Sequence, residues 1–257
     1  MTPSLALCLV LSLPVADPVD VAFTSSWDGT EQRYVLIEPD DAPAGQPMHV
    51  LIALHGHGSD RWQFIQDPRP ECRAAREAAA QRRMLYVSPD YRAKTSWMGP
   101  AAEADMLDML KLLRAKYKID RVYVCGGSMG GASALTFAAL HPELVHGVVA
   151  MNGTANHVEY DQFQDAIAQS FGGTKQEKPD EYRRRSAELQ WEKLAMPLAV
   201  TSGGRDKLVP PDSVLRLVAH LQQARRPALS IHRPEGGHDT NAADAAEAFH
   251  FVLDPPP

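Results

Sequence analysis

Short runs of Val, Ile, Leu and Tyr alternate along this chain with longer stretches in which apolar residues recur every three or four positions. The short runs predict eight strands, at 20–25, 33–37, 49–54, 84–88, 121–125, 147–151, 198–202 and 228–232. Most are apolar throughout, as strands covered on both faces are. Met106, Leu107, Met109, Leu110, Leu112 and Leu113 form a broad helical face, with Lys111, Arg114 and Lys116 turned to water. Val214, Leu215, Leu217, Val218 and Leu221 repeat the pattern, with Asp212 or Ser213 placed to cap its start. A last helix, near 242–253, stops before a triple proline that cannot continue it. Strands alternating with helices predict an α/β fold, a mostly parallel eight-stranded sheet with helices on both faces. The first two strands have no helix between them and should form an antiparallel edge.

One stretch breaks the rhythm. About forty residues, 155–195, separate the sixth and seventh strands. An insertion of that size either frames a site as a cap or is a surface helix pair with a loop. Within it, Arg183, Arg184 and Arg185 stand between Glu181 and Glu188 and read as a solvated helix face.

Composition narrows the class. A chain of 257 residues, 44% hydrophobic, suits one large domain over 17–257 better than two small ones. A net charge of −6 without a basic stripe argues against nucleic acid as a partner. The apolar run from Leu5 to Leu13 is too short to span a bilayer. Followed by Pro14-Val15-Ala16, it reads as the core of a secretory signal peptide, 1–16, cleaved after Ala16. That reading implies a secreted or periplasmic protein, although no Lys or Arg precedes the run; without a signal peptide the location would be cytoplasmic. No other segment approaches membrane-spanning length. Cys72 and Cys125 would survive cleavage, either as buried thiols or, in an exported protein, as a bridge.

Candidate chemistry begins where the fifth strand ends. Gly126-Gly127-Ser128-Met129-Gly130-Gly131 contains G-x-S-x-G between a strand and an apolar helix expected from Ala132. Small residues there permit the sharp strand-to-helix turn that exposes a serine hydroxyl above the sheet. The alternative, a phosphate-binding loop, lacks the lysine that would follow. A serine nucleophile needs a base. Of ten histidines, His238 lies in a Gly-rich loop between the last strand and last helix, free to turn back over the sheet. His220, His232 and His250 fall inside elements, and His141 falls at a helix end. Asp206, just past the seventh strand, is the carboxylate that would orient the imidazole, with Asp239 and Asp244 as rivals. Two backbone N–H groups should hold an oxyanion, one from Met129 and one from the loop Leu54-His55-Gly56-His57-Gly58. His57 is the choice in that loop and Gly56 the fallback. His55 and His57 offer two imidazoles but no third ligand, so neither a metal nor any other cofactor is expected. Trp97, then Trp62, are candidate walls of a substrate pocket, with ordinary packing as the competing role.

These motifs, in the order Ser128, Asp206, His238, resemble the α/β-hydrolase superfamily from about Val21 to Leu253. Within it the chain is similar to prolyl-oligopeptidase-type and dienelactone-hydrolase-like esterases, on Phe171-Gly172-Gly173-Thr174, Tyr182 to Ser186, and Asp206-Lys207-Leu208-Val209-Pro210. Prolyl-oligopeptidase relatives carry a large N-terminal propeller, for which the stretch before the third strand leaves no room; dienelactone hydrolases use cysteine where position 128 is serine. The resemblance thus implies a serine carboxylesterase, of feruloyl or acetyl-xylan type, acting on a small-molecule or polysaccharide-linked ester. A serine peptidase for short peptides and a non-catalytic binding module are the alternatives.

Overall fold

The computed structural model describes residues 17–40 and 45–254. The proposed signal segment and its cleavage point lie outside them. All eight strands join one sheet, in the order β1 (Val19–Thr24), β2 (Glu31–Ile37), β4 (Leu85–Pro89), β3 (Met48–Leu54), β5 (Ile119–Gly127), β6 (Gly147–Met151), β7 (Leu198–Gly203) and β8 (Ala228–Arg233). β1 pairs antiparallel with β2, and β2 with β4; every later pairing is parallel. This is the α/β-hydrolase fold, and the expected antiparallel edge is present.

Alternation along β3 divides the core. Val50, Ile52 and Leu54 face one layer, with α3 (Pro100–Lys116), α4 (Met129–Leu140) and α7 (Asp212–Gln223); Leu51 and Ala53 face the other, with α2 (Pro70–Gln81) and α8 (Ala242–Leu253). The apolar pattern did not single out α2. Its buried side is Cys72, Ala74, Ala75, Ala78 and Ala79, and alanines give little contrast with a polar face. α1 (Gln63–Gln66) is a single turn that carries Phe64 into the same layer.

Several local expectations are corrected. Neither Asp212 nor Ser213 caps α7; Pro211 stands at the N-cap, and Ser213 Oγ accepts the Ala155 N–H at 3.0 Å. Helix α4 starts at Met129, three residues before the expected Ala132, because Ser128 itself makes the turn. Of the two alternatives for Cys72 and Cys125, the buried thiol is the one present: both are free and buried. Burial pushes the Cys72 thiol up to about 12, so it is inert as a nucleophile at neutral pH.

The 155–195 stretch is packed structure: α5 (Gln164–Phe171), α6 (Pro179–Arg184) and a 3-10 helix (Ala187–Lys193). Ile167, Phe171 and Tyr182 join the core layer of α3, α4 and α7. Arg185, expected at a solvated face, has no exposed side-chain surface. It ion-pairs with Glu103 of α3 at 2.7 Å and Glu181 at 2.8 Å, and it lies 5.5 Å over the Phe171 ring. The sequence neighbours gave it one acidic partner, but α3 supplied the second, which only tertiary packing brings near.

Candidate active site

Strand β5 ends at Gly127, and the chain then turns so tightly that Ser128 adopts φ 58°, ψ −121° before α4 begins. That is a strained conformation for a residue with a side chain. It is held by Ser128 N–H donating to Met151 O at 2.8 Å and by close packing behind the turn. A Cβ on Gly126 would overlap the Gly130 backbone, and one on Gly130 would overlap the carbonyl oxygen of Leu54. The motif glycines are thus required by contact. Gly127, the residue between the first motif glycine and Ser128, has only ordinary contacts.

Ser128 Oγ lies 2.9 Å from His238 Nε2, and His238 Nδ1 lies 2.6 Å from Asp206 Oδ2. An ionised carboxylate only accepts, so Nδ1 carries the imidazole proton and Nε2 accepts from the serine hydroxyl. Asp206 Oδ1 accepts the N–H groups of Leu208 and Val209, both at 2.9 Å, which fixes the carboxylate plane. Its side chain is 1% exposed, against 24% for His238. Of the rival acids, Asp244 is engaged by Arg233 and by the Asn241 cap of α8. The chain of three groups can take the serine proton onto Nε2 and hold the resulting imidazolium against a buried carboxylate.

Met129 N–H is at the first turn of α4, where a helix leaves its amides unpaired and a developing negative charge is favoured. The loop after β3 lies against Ser128, close enough that a Cβ on Gly56 would sit 3.8 Å from Ser128 Cβ. Gly56 is not available as the second donor, because its N–H is given to Gln63 Oε1 at 2.7 Å. That corrects the fallback. Gly58 N–H is likewise given, to Lys94 O at 2.8 Å, while His57 N–H has no partner among the described residues. His55 is buried between Asp90 O and Tyr91, whose ring centroid is 4.6 Å away. Among the described residues no three His, Cys, Asp or Glu stand together as a metal site.

Trp97 is 1% exposed, inside a ring cluster with Tyr160 at 5.7 Å, Phe163 at 5.5 Å and His157 at 6.3 Å. It backs the site and does not form its surface. Trp62 is half-buried in the opposite core layer, under Arg61, so the structure does not bring it together with Trp97. Sequence reasoning missed Phe163, whose ring centroid is 4.5 Å from that of His57, and Gln63, which fastens the oxyanion loop. Neither carries a motif; their placement comes from the insertion and from α1. Burial lowers the pKa of His57 and drives that of His157 down to about 3, so both rings are neutral at pH 7. A cleft of about 400 Å³ opens beside the Asp206 loop, between Tyr160, Gln162, Pro210 and Arg216; neither Ser128 nor His238 lines it.

The family model described as the prolyl oligopeptidase family matches residues 91–254, a span holding Ser128, Asp206 and His238. No curated protein matches the sequence. Among solved structures, puromycin hydrolase is similar with TM-score 0.74 and 18% identity, over 92% of this chain and 38% of that one. The fluorophosphonate-binding serine hydrolase F of Staphylococcus aureus, substrate bound, gives 0.68 and 18%, over 93% and 98%. S-formylglutathione hydrolase from the same organism gives 0.66 and 17%, over 92% and 97%. The chain therefore spans about two fifths of puromycin hydrolase but nearly the whole of the two staphylococcal proteins.

Proposed function

The chain belongs to the prolyl oligopeptidase family of serine hydrolases, and from that premise we propose that it cleaves carboxylic esters through an acyl-enzyme on Ser128. One observation carries the reading: the unbroken hydrogen-bonded line from Ser128 Oγ through His238 to Asp206. Ser128 Oγ attacks the ester carbonyl as His238 Nε2 takes its proton. The carbonyl oxygen becomes an oxyanion between Met129 N–H and His57 N–H. Collapse breaks the bond to the alcohol oxygen, which leaves with the proton from His238. Water, deprotonated by the same nitrogen, then releases the acid.

Support for an ester-type carbonyl comes from the staphylococcal hydrolase named for the thioester S-formylglutathione, which aligns with this domain over almost its full length. The family description favours a second reading, a serine peptidase acting on short peptides. Purified protein assayed on short p-nitrophenyl esters and on peptide amides separates the two. Ser128→Ala should lower ester turnover by roughly 10³-fold or more, with fluorophosphonate labelling abolished. Wild-type rates in the variant, or turnover of amides alone, would overturn the proposal.

A further inference from the structure

The loop that lies beside Ser128 carries His57, whose ring joins an aromatic set. His238 and Asp206 reach the serine from the ends of β8 and β7, on one side of β5. His57 comes from the end of β3, the neighbour of β5 on its other side. The leaving alcohol must lie toward His238 Nε2, which protonates it. With the oxyanion held between Met129 and His57, the acyl chain is left to run on the His57 side. The His57 imidazole belongs to that loop, and the Phe163 ring pairs with it, centroids 4.5 Å apart and tilted by 46°, both only partly buried. Behind them Trp97 lies 6.0 Å from His57 and 5.5 Å from Phe163, and Tyr160 closes the set.

Two features mark this wall as more than packing. Phe163 holds φ 54°, ψ 28°, and Trp97 holds φ 42°, a left-handed backbone that costs a side-chain-bearing residue about 1–2 kcal/mol. The chain nevertheless places aromatic residues at both positions. In addition, Nδ1 of His57, Nε1 of Trp97 and Nδ1 of His157 are buried without a hydrogen-bond partner among the described residues. A buried polar atom left without a partner calls for an explanation.

We propose that Phe163 and His57 form the acyl-recognition wall and select a flat aromatic acyl group over acetyl or short aliphatic groups, an inference that rests on the ester-hydrolase reading above. An aromatic acyl ring lies against the exposed faces of Phe163 and His57 in the offset or edge-to-face geometry that such rings prefer. Specificity then resides in a residue of the 155–195 insertion, and the triad is indifferent to it.

The test holds the alcohol constant and varies the acid. On p-nitrophenyl 3-phenylpropanoate, butyrate and acetate, the wild type should show kcat/KM about tenfold higher for the aromatic acid than for butyrate. Phe163→Gly, which suits the left-handed backbone while removing the ring, should bring that ratio close to one. Any loss in its acetate turnover should be severalfold smaller than its loss on the aromatic ester, with Ser128 still labelled by fluorophosphonate. Phe163→Leu is the second variant should the glycine variant fail to fold, and Phe163→Tyr should restore the preference. A wild-type ratio near one, or equal losses on all three esters, would overturn this inference and leave the esterase reading standing. So would a ring preference that follows the alcohol when 2-phenylethyl and butyl acetates, matched in leaving-group strength, are compared. Failure to hydrolyse any ester, with Ser128 still labelled, would overturn both.

Discussion

Arg185 Nη1 donates to the carbonyl oxygen of Met98 at 2.6 Å, tying the end of the 155–195 insertion to the loop that carries Trp97. Ser170 Oγ makes a second tie, to Ser96 O. The aromatic wall is thus fixed from behind by a buried guanidinium whose charge is met by Glu103 and Glu181. Breaking a buried pair from one side strands the other charge. Arg185→Leu should cost about 3 kcal/mol in urea unfolding, and it should also loosen the wall. A loss under about 0.5 kcal/mol would show that solvent reaches these carboxylates.

The same cluster sets an acid limit. Against the cost of burial, His141 and the guanidinium groups of Arg185 and Arg184 hold Glu103 down to about 2, below its ordinary 4.5. A lowered folded pKa means that the unfolded chain binds the proton more tightly. The stabilisation is therefore complete above pH 4.5 and is lost as pH falls from there toward 2. Between those limits Glu103→Gln should flatten the slope of stability against pH, while lowering stability at pH 7. Parallel curves for the two proteins in thermal melts would refute the linkage.

Gly130 and Gly127 flank the nucleophile but face different constraints. A methyl group on Gly130 would overlap the Leu54 carbonyl oxygen, whereas one on Gly127 would stand 3.8 Å from Glu71 Cγ and 3.9 Å from Phe64 Cζ. Gly130→Ala should abolish fluorophosphonate labelling or prevent folding. Gly127→Ala should fold and label at rates within about threefold of wild type. Equal behaviour would mean that the turn is set by something other than this contact.

The strands and the three groups of the Ser128 line were legible because each rests on local pattern. Runs such as Val148-Val149 are apolar wherever they fold, and the glycines around Ser128 and His238 announce turns whatever surrounds them. What escaped was decided by distant partners. Arg185 looks solvated beside Glu181 and Glu188 until α3 brings Glu103 to it. Gly56 stands as the fallback behind His57 until Gln63 occupies its N–H. Trp97 looks like a pocket wall until Tyr160 and Phe163 fold over it. Phe163 carries no motif, and its value comes from standing 4.5 Å from His57, a residue 106 positions earlier in the chain (163 − 57 = 106).

Asp206 offers the sharpest test of the proton line. Its Oδ1 accepts two backbone N–H groups, from Leu208 and Val209, and its Oδ2 faces His238 Nδ1. In Asp206→Asn the amide oxygen must take the Oδ1 place, since an NH₂ group there would confront two donors. The NH₂ group then faces His238 and forces Nδ1 to accept. The imidazole proton moves to Nε2, which can no longer take the proton of Ser128. Turnover of a p-nitrophenyl ester should fall by about 10³- to 10⁴-fold near neutral pH, with KM and thermal stability little changed. A loss under tenfold would mean that the imidazole keeps its tautomer without this carboxylate, and the assignment of Asp206 as its orienting partner would fail.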